Sequence, residues 1–364
     1  MIIFYAFVVI YISLIAVFVT KYNKIEYFSK SCNEKTYISI IVPFRNEKEN
    51  LPKLINSINK QNYNPNFFEV IFIDDCSEDQ SSLIIEKQCK IENFKIVKIE
   101  IPKGKKNALE QGFKIAKGQV IVTTDADCTM KDKWLETINS YYSKYKPKMI
   151  IMPVELTSTK KMLTFTNLQY VEFTSLQAST LAAVAINKPI MCNGANLAFE
   201  KQCIENIKNP LKKELISGDD MFLMFKILEK YPKQIQYLKN QNVVVTTKAT
   251  KTLKDFLKQR TRWAYKAKFY SNFFALFVSL FVFLSNLSIL LLFVFQFFNF
   301  KIFLNFIILF GIKFLFDNII IYKHLQFLNK KKLIILTPII TLFYPLYIVS
   351  TAFLSIFLQT KWKK

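Results

Sequence analysis

Four long apolar runs restrict what this chain can become. Residues 2–20, 273–298, 302–322 and 333–358 are each close to or above the ~20 residues that cross a bilayer as a helix. Lipid offers the backbone no hydrogen-bond partners, so such runs must be helical. The first run lacks a basic start and a small-residue cleavage site, so residues 1–21 read as a retained anchor rather than a signal peptide. Lys21, Lys24, Lys30 and Lys35 follow it and place that end in the cytoplasm. The short link 299–301 then falls outside, and the link 323–332, with Lys323, Lys330, Lys331 and Lys332, falls inside. The tail KWKK would lie outside, against the same rule. Either the last run is re-entrant, helped by Pro338 and Pro345, or the rule fails there. Lys313 and Asp317 stand four apart inside the third run. They read as a functional intramembrane pair or, more simply, as a neutralising pair facing the helix bundle.

Between the first and second runs, residues 37–247 have the pattern of a water-soluble domain. YISIIVP (37–43), EVIFID (69–74), FKIVKI (94–99), QVIVTTD (119–125) and MIIMPV (149–154) alternate with stretches of helical period. Short buried strands alternating with helices predict an α/β fold with a mostly parallel sheet. The net charge of +23 does not point to nucleic acid, because the lysines are scattered or flank the apolar runs. The six cysteines form no CxxC pair and the single histidine, His324, is far from all of them, which argues against zinc and against a disulfide framework.

The polar residues fall at the strand ends. SIIVPFRNE (39–47), EVIFIDDCSED (69–79), KGKKNALEQG (103–112) and QVIVTTDADCT (119–129) place polar and acidic groups where strands give way to turns. In open α/β sheets the ligand crevice lies beyond the carboxyl ends of the strands. Asp125 and Asp127 could bring two carboxylates to one hard cation, Mg2+ or Mn2+, completed by substrate phosphates. Further on come MCNGANLAF (191–199) and SGDDMFLMFKIL (217–228). One aspartate of Ser-Gly-Asp-Asp satisfies a helix cap; the second is left as a general base in a domain without histidine. KQRTRW (258–263) holds two of the chain's three arginines, Arg260 and Arg262; the third is Arg45. Arg262 offers a fork for phosphate oxygens, and Trp263 a flat platform for a sugar ring. A cationic amphipathic helix over 251–270, lying on the membrane, is the plainer reading and is compatible with the first.

Taken together, residues 37–270 resemble the membrane-bound branch of glycosyltransferase family 2, that of cellulose, chitin, hyaluronan and poly-N-acetylglucosamine synthases and ceramide glucosyltransferases. The family's ordered signature of D, DxD, ED-type and QxxRW motifs reads here as Asp75, then Asp125-Ala126-Asp127, then Asp219-Asp220, then Gln259-Arg260-Thr261-Arg262-Trp263. The resemblance implies a GT-A, Rossmann-like cytoplasmic domain over 37–247. It also implies that Pro43, Glu47 and Asp75 line a nucleoside pocket, that Lys105 is the lysine of a Gly-Lys turn, and that Asp125 contacts the nucleotide-sugar. Asp127, with Asp125, would ligate Mg2+ or Mn2+. Asp220 would be the catalytic base, and Gln259, Arg262 and Trp263 would hold pyrophosphate and acceptor. Glu110 stands where many members have Asn, and Asp219 where many have Glu.

The implied activity is metal-dependent, inverting transfer from a UDP- or GDP-sugar to a lipid-linked or membrane-proximal acceptor. It would occur at the cytoplasmic face of a bacterial inner membrane. The alternative is a processive polysaccharide synthase, although four spans are few to wrap a hydrated channel. A nucleotidyltransferase would need neither the tryptophan motif nor the membrane. A module that only binds nucleotide-sugar should have lost a carboxylate, and none is missing.

Overall fold

The computed structural model describes residues 2–205, 207–212, 215 and 217–357. In chain order the first half contains α1 (Ile2–Lys21), β1 (Ile38–Phe44), α2 (Leu51–Asn59), β2 (Phe68–Asp74), α3 (Ser81–Gln88), β3 (Phe94–Lys98), α4 (Lys105–Ile115), β4 (Val120–Thr123), α5 (Trp134–Tyr145), β5 (Met149–Ile151), β6 (Val154–Leu156) and α6 (Phe165–Ala185). The second half contains β7 (Leu197–Glu200), α7 (Lys201–Glu205), α8 (Asp219–Lys230), β8 (Ile235–Tyr237), β9 (Val245–Thr247), α9 (Leu253–Lys266), α10 (Phe273–Phe295), α11 (Phe300–Phe327) and α12 (Thr337–Phe357). These elements form two compact units. The first takes Glu26–Leu156 and Met191–Lys248; the second is built from α1, α6 and α9 to α12.

The first unit is the expected mixed α/β fold. Its seven-stranded sheet has the order β3-β2-β1-β4-β7-β5-β8. All pairings are parallel except those of β7, which runs against both β4 and β5. β1 and β2 pair over their full lengths, from Ile38 with Phe68 to Phe44 with Asp74, and every residue of both is buried. A strand covered on both faces is apolar over most of its length, and two polar exceptions, Ser39 and Glu69, satisfy each other at 2.7 Å, so both strands read as near-continuous apolar runs. Each valine or isoleucine hidden there contributes about 1.5–3 kcal/mol. The run MIIMPV does not form one strand. Met149–Ile151 joins the large sheet, whereas Val154–Leu156 pairs with β9 in a small one. Pro153 separates them; it has no N–H to give a ladder, and its carbonyl accepts from Val245 N at 3.2 Å.

The second unit is helical. α1 packs against α10 and α11, and α10 against α12. Val8, Ile289, Leu292 and Phe306 form a shared core. Ile2–Lys24, Phe273–Phe298, Phe300–Phe327 and Lys331–Phe357 are long and apolar enough to cross a membrane. Large side chains on them point away from protein: Phe273 is 81% and Leu342 64% exposed, an apolar surface that water would not tolerate at this extent. The third stretch continues to Phe327, five residues beyond the expected 322, and the fourth opens with a 3-10 stretch, Lys331–Leu336, before α12. The tail KWKK lies outside the described residues.

Inside the helical unit, Lys313 is buried and pairs with Asp317 at 2.5 Å, and Tyr11 donates to the same carboxylate at 2.8 Å. The pair is thus neutralised within the bundle. α6 falls between the strands in sequence but belongs to this helical unit. It has buried residues on nearly every side and packs on α11 and α1, as a helix without a polar face must.

Two glycines of the same size class should behave in opposite ways. A Cβ on Gly118 would stand 2.4 Å from Ser39 N and 2.9 Å from Ile38 C, both backbone atoms that cannot move aside. A Cβ on Gly311, in α11, would meet nothing within 4 Å. Gly118→Ala is therefore expected to destabilise the α/β unit by about 1–3 kcal/mol. Gly311→Ala should be neutral or slightly stabilising, since alanine is the better helix former. Thermal unfolding of the purified full-length variants measures both.

Candidate active site

The β1–α2 turn carries Pro43, in β1 opposite Ile73, and Glu47. Its backbone is tied to the turn after β2: Asn46 N donates to Ser77 Oγ (3.1 Å), Glu47 N to Ser81 Oγ (2.9 Å) and Lys48 N to Asp79 Oδ2 (2.9 Å). The Glu47 carboxylate accepts from Asn50 Nδ2. The paired carboxylates at the end of β2 divide their tasks. Asp74 accepts from Ser77 N (2.7 Å) and Ser82 Oγ (2.5 Å), which closes its own turn. Asp75 is fully buried and accepts from Lys103 N and Gly104 N, each at 2.9 Å. It therefore holds the Gly-Lys turn in place. Gly104 sits at φ 85°, where a side chain would be strained, and α4 starts at the next residue.

That residue is Lys105. Its ammonium lies 2.5 Å from Asp125 Oδ1 and 3.8 Å from Asp219 Oδ2, so it joins the end of β4 to the start of α8. Burial pulls the Lys105 pKa down, but Asp125, Asp219 and Asp220 outweigh it and hold the group well above the ordinary lysine value. Two residues past Asp125, Asp127 accepts from Thr247 Oγ1 at 3.1 Å. Burial, reinforced by the charges of Asp125 and Glu47, raises the Asp127 pKa against the opposing effects of Thr247 and Lys105.

α8 begins after Gly218, at φ 89°. Asp220 Oδ2 accepts from Gly194 N at 3.1 Å, and Oδ1 from Met221 N at 2.8 Å, so the carboxylate is fixed in orientation. Gly194 is itself held by Thr123 Oγ1, which donates to its carbonyl at 2.8 Å. The reversed direction of β7 makes this possible: Leu197, its first residue, pairs with Thr123, the last of β4. Thus Asp125, Asp219 and Asp220 act on the Lys105 ammonium, and Asp125, Glu47 and Lys105 act on Asp127. Such a surplus of negative charge calls for a cation. The donors are carboxylate oxygens, which suit Mg2+ or Mn2+. Among the described residues no three His, Cys, Asp or Glu side chains converge on one point. The cluster therefore fits a metal held by one or two carboxylates and completed by substrate phosphates.

Gln259, Arg262 and Trp263 lie on α9, in the helical unit. Thr252 caps that helix, accepting from Asp255 N at 3.1 Å, and Phe256, Arg260 and Thr261 form its buried face, which packs on α12. The plainer expectation of a helix resting on lipid is thus only part of the picture, because its inner face is covered by protein. Arg260 and Arg262 are two residues apart and so do not share a helix face. Arg260, which the motif reading left without a task, forms a buried ion pair with Glu172 of α6.

Sequence reasoning overlooked Thr247 beside Asp127, the backbone N–H of Gly194 beneath Asp220, and Glu172. Only Gly194 carried a signal, as one of six glycines.

Residues 39–207 match the sequence profile of Glycosyl transferase family 2. Glycosyltransferase AglE of Haloferax volcanii is 26% identical over 192 residues, which cover 51% of this chain and 59% of that protein. Poly-beta-1,6-N-acetyl-D-glucosamine synthase of Staphylococcus epidermidis is 26% identical over 231 residues, 62% of this chain and 53% of that protein. The chain thus spans a little over half the length of these curated relatives. Among solved structures, mannosyltransferase PcManGT from Pyrobaculum calidifontis, in complex with GDP-Man and Mn2+, aligns with a TM-score of 0.59 at 15% identity, over 94% of this chain and 99% of that one. At that identity the likeness is one of fold. Residues 39–207 thus carry the sequence profile of Glycosyl transferase family 2, in a chain with four helices long and apolar enough to cross a membrane.

Proposed function

We propose that this transferase moves a sugar from a UDP- or GDP-sugar to a lipid-linked or membrane-proximal acceptor, with inversion, at the cytoplasmic face of a bacterial inner membrane. The observation that carries the reading is the acidic cluster around Lys105, with Asp127 half-buried within it and Asp220 seated on Gly194 N–H. Asp127, with Asp125, would hold Mg2+ or Mn2+, which supplies positive charge for the departing diphosphate. Asp220 accepts the proton of an acceptor hydroxyl as that oxygen bonds to the anomeric carbon. The bond from that carbon to phosphate oxygen breaks, and the nucleoside diphosphate leaves with the electron pair. A positioned base of this kind contributes roughly 10²–10⁴-fold. Pro43, Glu47 and Asp75 are assigned to the nucleoside side of the pocket. Gln259, Arg262 and Trp263 are assigned to diphosphate and acceptor on the strength of their motif.

A second reading, processive polymer synthesis, is favoured by the likeness to the poly-N-acetylglucosamine synthase across 62% of this chain. Four spans argue the other way, since each helix is ~10 Å across and must keep its backbone bonds internal. Membranes given radiolabelled UDP-N-acetylglucosamine, UDP-glucose or GDP-mannose and then extracted with organic solvent separate the two. Label in the lipid phase is expected; high-mass, water-soluble polymer with an empty lipid phase would promote the synthase.

Two further outcomes are expected. Asp220→Asn keeps the shape of the carboxylate but cannot take a proton, so transfer is lost while UDP or GDP binding stays near wild type. Activity within a few-fold of wild type would remove Asp220 from the role of base. Asp127 ties metal binding to pH. Its proton must leave before a cation can bind, so Mn2+ affinity should fall as the pH drops from 7.5 to 5, read by electron paramagnetic resonance in the presence of UDP or GDP. The same raised pKa means that the native state holds this proton more tightly than the unfolded chain does. Its ionisation therefore disfavours the metal-free fold as pH rises through the folded value, and the penalty is absent below the unfolded value of about 3.9. Asp127→Asn should then raise the melting midpoint of the metal-free protein at neutral pH while abolishing Mn2+ binding. Unaltered Mn2+ affinity in that variant would exclude Asp127 as a ligand.

A further inference from the structure

The buried side of α9 is organised around Arg260. Its Nε and one terminal nitrogen both donate to the Glu172 carboxylate, the first at 3.3 Å. The other terminal nitrogen donates to Gln259 Oε1 at 2.7 Å. Its flat face lies 4.1 Å from the Trp263 ring centroid and 4.7 Å from that of Phe256. Helical spacing explains the stacking, because Phe256 precedes Arg260 by four residues and Trp263 follows it by three. Tyr347 of α12 donates to the same Glu172 oxygen at 3.2 Å. The two charged side chains are only 3% and 6% exposed, so neither could be there without the other.

The chemistry of the guanidinium then has a consequence for the motif. Arginine has donors and no acceptor. Gln259 must therefore turn its oxygen toward Arg260, which leaves its NH2 group as the donor available to a ligand. The Trp263 ring rests against the same guanidinium, and Phe173 of α6 adds a second contact at 6.2 Å between ring centroids. A lysine at 260 could not bond Glu172 twice, bond Gln259 and stack on two rings together.

We propose that Glu172 is a positioning residue of the transfer reaction: through Arg260 it orients the Gln259 amide as a donor and fixes the Trp263 ring to receive the acceptor. The inference rests on the assignment of Gln259 and Trp263 to the acceptor side. Glu172 touches no reacting atom. It lies on a helix outside the family's motifs, and it latches the motif helix to the last span through Tyr347.

The test uses the full-length protein in membranes. With UDP-N-acetylglucosamine, UDP-glucose and GDP-mannose as donors, transfer to the endogenous acceptor and hydrolysis of the donor by water are both measured. Glu172→Gln is expected to cut transfer at least tenfold while donor hydrolysis and UDP or GDP affinity stay within twofold. In a Gln259→Ala background the same change should cost less than it does alone, because one of the two side chains through which Glu172 acts is already gone. Transfer and hydrolysis falling together, or effects that multiply in the double variant, would overturn the proposal. Trp263→Ala is the control: unchanged transfer there would defeat the acceptor assignment itself rather than the role of Glu172. A substrate-free readout decides the matter where Glu172→Gln is poorly active or no donor is turned over. In protein labelled with 5-fluorotryptophan, Glu172→Gln, or Tyr347→Phe if the former does not fold, should shift the Trp263 fluorine resonance and leave that of Trp134 in place. An unmoved Trp263 resonance would overturn the proposal.

Discussion

Like charge crowded at one edge of a sheet is the constraint on which this molecule turns. Parallel strands finish together, so every turn that follows them delivers its polar residues to the same edge. Here that edge gathers carboxylates from β4, from the β1 turn and from the start of α8 around one lysine. Repulsion among them must be opposed, and Lys105 does so by reaching two acidic positions at once. The lysine is in turn aimed by a glycine turn that Asp75 grips from below. The site proposed for a donor and a cation is thereby maintained by residues that look, one at a time, like ordinary turn and cap residues.

The helical unit handles charge in a different way. Its buried ions are matched one to one: Lys313 with Asp317, and Arg260 with Glu172. Removing either partner of such a pair leaves an unpaired charge away from water, which is far more costly than the pair itself. Each pair is also joined by a tyrosine from another helix, Tyr11 in one case and Tyr347 in the other. The pairs therefore act as buried fixed points among helices that are otherwise joined by apolar packing and a few neutral links, such as that from Asn305 Nδ2 to the Tyr5 hydroxyl.

Much of this was legible in the sequence, for physical reasons that also explain the gaps. β1, β2 and β4 announce themselves because strands buried on both faces are apolar almost throughout, their few polar residues being paired, as Ser39 is with Glu69. The four apolar stretches are legible because lipid sets their length. MIIMPV was misread as one strand because hydrophobicity does not say which sheet a residue joins. α6 was read as part of the soluble stretch for a similar reason: a helix buried all round carries no sign of its partner. At the site, Asp125, Asp127 and Asp220 could be singled out by position and motif. The Gly194 N–H that seats Asp220 could not, since a backbone donor has no letter of its own. Glu172 was invisible because its partner lies 88 residues away.

The reversed strand β7 also orders events in time. β5 pairs only with β7 and β8, and both are synthesised after α6. At about 5–20 residues per second, roughly fifty residues separate the appearance of β5 from that of β7, a delay of a few seconds at least. During that interval the half-built sheet ends at β4, with an open hydrogen-bonding edge and a loose strand of buried type, the kind of surface on which nascent chains aggregate. Meanwhile α6 has only α1 of its helical partners available, because α11, on which it packs most, is synthesised after the last strand of the sheet. The emergence of this protein from the ribosome is thus a shuttle between two folding units, and the seat of Asp220 is assembled only on the return.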